Sequence, residues 1–136
     1  REQKFGLLRA DGSEKPAYRA LLNLIQILKD PGPSFTPTAL PFTITGDTIG
    51  MRKMLLQKRD GRYYLALWTS ASSYNVTAFS DWGLVSRGVT LRFDTPVRQV
   101  QFYRPNERPG GYNGKTNVSA VNMTLDDRIL LVEITR

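Results

Sequence analysis

The sequence predicts a mainly-β fold: an antiparallel β-sandwich of about seven or eight strands, preceded by one strand and one amphipathic α-helix. Three observations carry this. Apolar residues recur with a helical period from Tyr18 to Leu28. A stretch with prolines at 31, 33, 37 and 41 follows, and beyond it the apolar period falls to two. The 136 residues, 40% hydrophobic and 10% aromatic, suffice for a modest core, hence one domain with at most a short appendage.

Phe5-Gly6-Leu7-Leu8 is a short apolar run closed by Asp11-Gly12. Glycine enters the left-handed region without a steric penalty, so this pair marks a turn and the run before it a strand. A helix then starts at Ser13 or Glu14, with Pro16 in the first turn, where no amide donor is needed. Tyr18, Leu21, Leu22, Ile25 and Leu28 form its apolar stripe, widened by Leu24 and Ile27. Lys29 suits the negative end of the helix dipole, and Pro31-Gly32-Pro33 stops the helix. Residues 1–30 are therefore a strand–helix unit, residues 31–39 a semi-rigid proline-rich linker, and residues 40–136 the sandwich.

Within the sandwich, Leu40, Phe42 and Ile44 alternate with Pro41, Thr43 and Thr45 as a first strand. Met51 to Arg59 and Arg62 to Ser70 flank Asp60-Gly61, a two-residue hairpin signal. Val89, Leu91 and Phe93 mark a strand with one wet face, and Val97 to Arg104 follows as another after Thr95-Pro96. Ser119 to Leu125 and Arg128 to Thr135 flank Asp126-Asp127 as a second hairpin, with Leu130, Val132 and Ile134 on one face.

Composition narrows the chemistry. The chain has neither cysteine nor histidine, so disulfides, thiolate or imidazole metal sites and the usual neutral-pH general base are all missing. No cofactor is implied. Asp94, Asp126, Asp127 and Glu133 are not spaced as metal ligands. No apolar run approaches the roughly eighteen residues of a membrane span, so no span is expected. A net charge of +7 with a pI near 10 favours an anionic partner such as an acidic polysaccharide. The basic residues are dispersed from Arg1 to Arg136, which argues against a nucleic-acid-binding arm. Arg1-Glu2-Gln3-Lys4 has no apolar signal core behind it and reads as the start of a piece of something longer.

Phe5-Gly6-Leu7-Leu8, Asp11-Gly12-Ser13 and Lys15-Pro16-Ala17-Tyr18-Arg19-Ala20-Leu21 together resemble the C-terminal segment of a (β/α)8-barrel glycoside hydrolase. There a similar phrase closes the eighth strand and opens the last helix. The order of pieces is similar too: last helix, proline-rich linker, then an accessory β-sandwich, here containing Leu55-Leu56-Gln57-Lys58-Arg59-Asp60-Gly61-Arg62-Tyr63-Tyr64-Leu65-Ala66-Leu67-Trp68. The resemblance implies a secreted, extracellular or cell-surface protein and a catalytic barrel of the same enzyme as partner. It implies no catalytic residue here, because the carboxylate pair that glycoside hydrolysis needs sits on earlier barrel strands.

The aromatic residues are the candidate polysaccharide contacts: Tyr64, Trp68, Tyr74, Trp82 and Tyr112. Sugar rings stack their C–H faces on flat aromatic faces, whose quadrupole is negative. Tyr64, Ala66 and Trp68 share one face of their strand, and Leu65 and Leu67 the other. With the leucines in the core, Tyr64 and Trp68 face outward; with both faces covered, they pack. Trp82 sits at a loop tip in Ser80-Asp81-Trp82-Gly83, and Tyr112 in the glycine-rich loop Pro109–Gly114.

Overall fold

The computed structural model describes residues 6–70, 74–81, 83 and 85–136, with the backbone alone described for Tyr74 and Asp81. The chain is mainly β and antiparallel, as the sequence predicts, with one helix, α1 (Pro16–Leu28). The strands are β1 (Phe42–Gly46), β2 (Met51–Gln57), β3 (Tyr63–Thr69), β4 (Tyr74–Asn75), β5 (Ser80–Asp81), β6 (Arg87–Tyr103), β7 (Tyr112–Leu125) and β8 (Leu130–Thr135). Six of them form one sheet in the order β1-β6-β8-β3-β2, with β7 on the other side of β6, while β4 and β5 make a separate ribbon.

The sheet curls. Its margins β1 and β2 come together without pairing, so that the Lys53 ammonium lies 5.4 Å from the Phe42 ring centroid. One curled sheet thus closes over the core from both sides. Strand alternation fills that core. Tyr63, Leu65 and Leu67 of β3 meet Val89, Leu91 and Phe93 of β6, Val121 of β7, and Leu130, Val132 and Ile134 of β8.

The N-terminal segment differs from expectation. Phe5 lies outside the described residues, and Leu8 makes only an isolated bridge to Glu14. The turn itself forms: Gly12 has φ +81°, and the Asp11 carboxylate accepts the Ser13 amide at 2.9 Å. The run pairs only back onto residues just past its own turn, with Lys15 N–H on Leu7 O at 3.0 Å and Arg9 N–H on Ser13 O at 2.8 Å, too short a ladder for a strand. The helix begins at Pro16 rather than at Ser13 or Glu14, and Lys29 N–H closes it on Ile25 O at 2.8 Å.

Three strand boundaries shift for physical reasons. The two strands expected around Thr95-Pro96 are one, because β7 flanks β6 on one side over nearly its whole length. On the other side, pairing with β1 ends at Phe93 and pairing with β8 starts at Gln99. Pro96, which has no N–H, falls in that gap and in the register shift between Arg92 and Val97, where the ladder needs no donor. β7 starts at Tyr112 instead of Ser119. Gly111 and Gly114 serve close approach there: a Cβ on either would come within 2.6 or 2.7 Å of the Gln101 side chain. The first hairpin closes through Lys58 N–H to Arg62 O and Gly61 N–H to Lys58 O, both at 2.9 Å, a longer loop with Gly61 at φ +86°.

The β7–β8 turn is locked from below. Arg104, 8% exposed, donates to the Asp126 carboxylate at 2.8 Å, to Thr124 O at 3.0 Å and to Arg128 O at 3.2 Å. Among the described residues, no helix is long and apolar enough to cross a membrane.

Two substitutions test this frame by denaturant unfolding. Arg104→Met leaves Asp126 with only the more exposed Arg128, 3.0 Å away, and is expected to cost about 1.5–3 kcal/mol; a loss under about 1 kcal/mol would make the pair incidental. Gly46→Ala forces φ +103° on alanine and drives a Cβ to 2.6 Å from Gly88 O, with an expected cost of about 1–3 kcal/mol.

Candidate functional site

The outer face of the sheet carries the polar cluster and the helix. Tyr64 of β3 and Glu133 of β8 are direct cross-strand partners, and Tyr103 of β6 lies on the next strand. Alternation turns all three away from the core that Leu65 and Val132 line. Glu133 Oε2 accepts the Tyr64 hydroxyl at 2.6 Å and the Tyr103 hydroxyl at 3.0 Å, while its Oε1 accepts Arg62 at 3.2 Å. Arg62 also holds Asp60 Oδ2, through Nε at 2.8 Å.

The β2–β3 loop bolts α1 and the linker onto this face. Lys58 Nζ donates to Ile27 O at the negative end of the helix, and lies 4.6 Å from the Tyr64 ring centroid. Arg59 pairs with the Asp30 carboxylate at 2.9 Å and donates to Gly32 O and Pro33 O, each at 2.6 Å. Its guanidinium also lies 5.7 Å from the Phe35 ring centroid. Farther along the helix, Asn23 Nδ2 donates to Pro105 O at 2.7 Å. Between helix and sheet remains a cleft of about 300 Å³ onto which Gln26, Lys58, Arg62, Tyr64, Tyr103 and Glu133 open.

This set of phenols, cations and a carboxylate is arranged as a clamp. Each oxygen of Glu133 already accepts a hydrogen bond from a neighbour, and among the described residues no second carboxylate lines the cleft. Among the described residues no cluster of acidic side chains is placed to hold a metal ion. Burial and the negative charge of Glu133, which accepts hydrogen bonds from both hydroxyls, push Tyr103 up to about 12 and Tyr64 higher still.

The five aromatic candidates do not converge on one platform. Tyr64 is 2% exposed, and its hydroxyl is spent on Glu133, so it is not displayed to solvent. The helix and the β2–β3 loop cover the face that alternation left open. Trp68 is half-buried on the same outer face, opposite Arg52 of β2. Tyr112 opens β7 and is half-buried, its ring 6.1 Å from Phe102 and 4.6 Å from the Arg108 guanidinium. It borders a cleft of about 190 Å³ with Asn113, Asn122 and Thr124. The side chain of Tyr74 and the whole of Trp82 lie outside the described residues.

Sequence reasoning missed the clamp. The signal was present, since alternation sets Tyr64 opposite Leu65 and Glu133 between Val132 and Ile134. What no local pattern reveals is that β8 inserts between β3 and β6 and brings these side chains together. Arg59 carried no signal at all.

The clamp has an alkaline signature. The folded values of Tyr64 and Tyr103 lie above the unfolded value of about 10. Their contribution to stability is therefore whole below pH 10 and is lost as pH rises from there through about 12, where Tyr103 titrates. A tyrosinate absorbance titration of the folded chain is expected to show late-titrating tyrosines that Glu133→Gln moves back toward 10. All tyrosines titrating together near 10 in the unsubstituted chain would remove the clamp. In comparisons with known proteins, no family model matches the chain, and no curated protein is detectably similar to it.

Proposed function

We propose that this chain is the non-catalytic C-terminal β-domain of a secreted barrel-type glycoside hydrolase, with α1 as the last barrel helix. The domain braces the barrel and offers polysaccharide a contact on its outer face, an acidic glycan being favoured by the charge of +7.

One observation carries the proposal: α1 is apolar on two sides and buried on neither. Ala20, Leu21 and Leu24 border a cleft with Pro105 and Ile129, and Ile27 turns toward Tyr64. At helical spacing, Tyr18, Leu22 and Ile25 fall on the opposite side, with Leu21 at its margin. Leu21 is 44% and Ile25 55% exposed, and no residue of the helix is buried. A surface helix normally hides its one apolar stripe against its own core and shows water a polar face. A helix held between two bodies needs two stripes. Leu7 and Leu8, 42% and 46% exposed, add apolar surface from the segment that resembles a barrel strand. The clamp of Lys58, Arg59 and Glu133 supports the same view, since it holds the helix rigidly to the domain whatever covers its other side.

The test is the behaviour of the chain by itself. Its open stripe is expected to bind a hydrophobic dye and to drive self-association in sedimentation. The double variant Leu22→Glu, Ile25→Lys is expected to abolish both and leave the unfolding midpoint within about 1 kcal/mol. A monomer that binds no dye, or a double variant that unfolds, would show that the stripe serves this domain's own packing, and the brace would fall.

A further inference from the structure

We infer that Trp68 and Arg52 form a subsite for the uronate units of an acidic polysaccharide; this rests on the polysaccharide contact proposed above and gives it a place and a chemistry. Arg52 of β2 and Trp68 of β3 are direct cross-strand partners. Their side chains therefore leave the same face, with Cβ atoms about 4.5–5.5 Å apart. It is the outer face, since Leu65 and Leu67 of the same strand point into the core. β2 is the last strand of the sheet order, so no described strand is paired beyond Arg52. The next residue of β3 on this face is Ala66, itself buried, and opposite it stands Met54, 53% exposed.

The electrostatics set Arg52 apart from the arginines that build the fold. Arg59, Arg62, Arg87, Arg104 and Arg128 each meet a carboxylate. Arg52 is exposed and meets none among the described residues. A guanidinium offers a planar fork that matches a carboxylate with two parallel hydrogen bonds. An indole face, negative at its centre, suits the positively polarised C–H groups of a pyranose ring. Side by side, the two groups read the two features that distinguish a uronate from other sugars and other acids: a flat C–H face and a carboxylate on one ring.

Size decides among occupants. An aromatic side chain covers about 150–250 Å², so this pair with Met54 spans a few hundred, well short of the roughly 800 Å² per partner of a stable protein interface. It fits one or two sugar rings. A single-stranded nucleic acid needs a groove of cations tracking its backbone, whereas the basic residues of this chain are dispersed along it.

The test is affinity electrophoresis of the whole chain in gels containing polygalacturonate, its methyl-esterified form, or single-stranded DNA. Polygalacturonate is expected to retard the chain most. Trp68→Ala lowers retention by both polysaccharides about tenfold, and Trp68→Phe restores part of it. Arg52→Gln lowers affinity for polygalacturonate to the level of the ester and leaves affinity for the ester unchanged, which a purely structural role would not do. Unchanged thermal unfolding certifies each variant as folded. Retention unaltered by either substitution overturns the subsite while the polysaccharide contact survives elsewhere. An unretained parent chain overturns both and leaves the brace to its own test. Stronger retention by DNA than by polygalacturonate also overturns the inference.

Discussion

The structure depends on the continuity of β6. Seventeen residues from Arg87 to Tyr103 run as one strand because β7 pairs with them across a bulge, while β1 and β8 divide the opposite side between them. A bulge bends the strand that carries it and increases its twist. The sheet here curls until β1 and β2 meet, and one set of alternating side chains becomes a core closed on both sides. Pro96 sits where neither ladder asks for an amide. The residue that would interrupt a central strand elsewhere marks the exchange of neighbours here.

The curl leaves an outer face that is used in two ways. At one end the β2–β3 loop reaches over α1 and the linker, and three adjacent strands supply Tyr64, Tyr103 and Glu133 beneath it. The burial of Tyr64 follows from that cover, since a phenol sealed under a helix needs an acceptor and Glu133 is the group opposite it. Nearer the other end of β3, Trp68 is half-buried and Arg52 exposed. One face thus combines a closed, self-satisfied polar junction with a half-buried aromatic and a cation that meets no carboxylate among the described residues. The first holds the helix in place, and the second has chemistry left to offer a ligand.

Much of this was legible in the sequence because the deciding forces are local. Period-two alternation placed Leu65, Leu67, Leu91, Leu130, Val132 and Ile134 in the core, where they lie. The helical period and Pro31-Gly32-Pro33 located α1, and Asp-Gly marked the turns at Gly12 and Gly61, both at positive φ. Where local signals misled, a neighbour distant in sequence had overruled them. Gly111 and Gly114 read as loop, but they make room for Gln101. Phe5 to Leu8 read as strand, but Leu8 finds only Glu14 to pair with.

The sequence by itself determined the mainly-β class, the helix and its apolar stripes, the residues of the core, and a surplus of positive charge without histidine or cysteine. Each depends on side-chain identity and spacing along a few residues. Only the tertiary structure decided which face of β3 is covered, that Tyr64 is sealed while Trp68 is half-buried, which arginines are spent on carboxylates, and that the second stripe of α1 is left facing outward. Those outcomes depend on strand order and on which segments cross the outer face. Contacts between residues such as Arg62 and Glu133, or Asn23 and Pro105, are set by the closure of the whole sheet, and no local period encodes them.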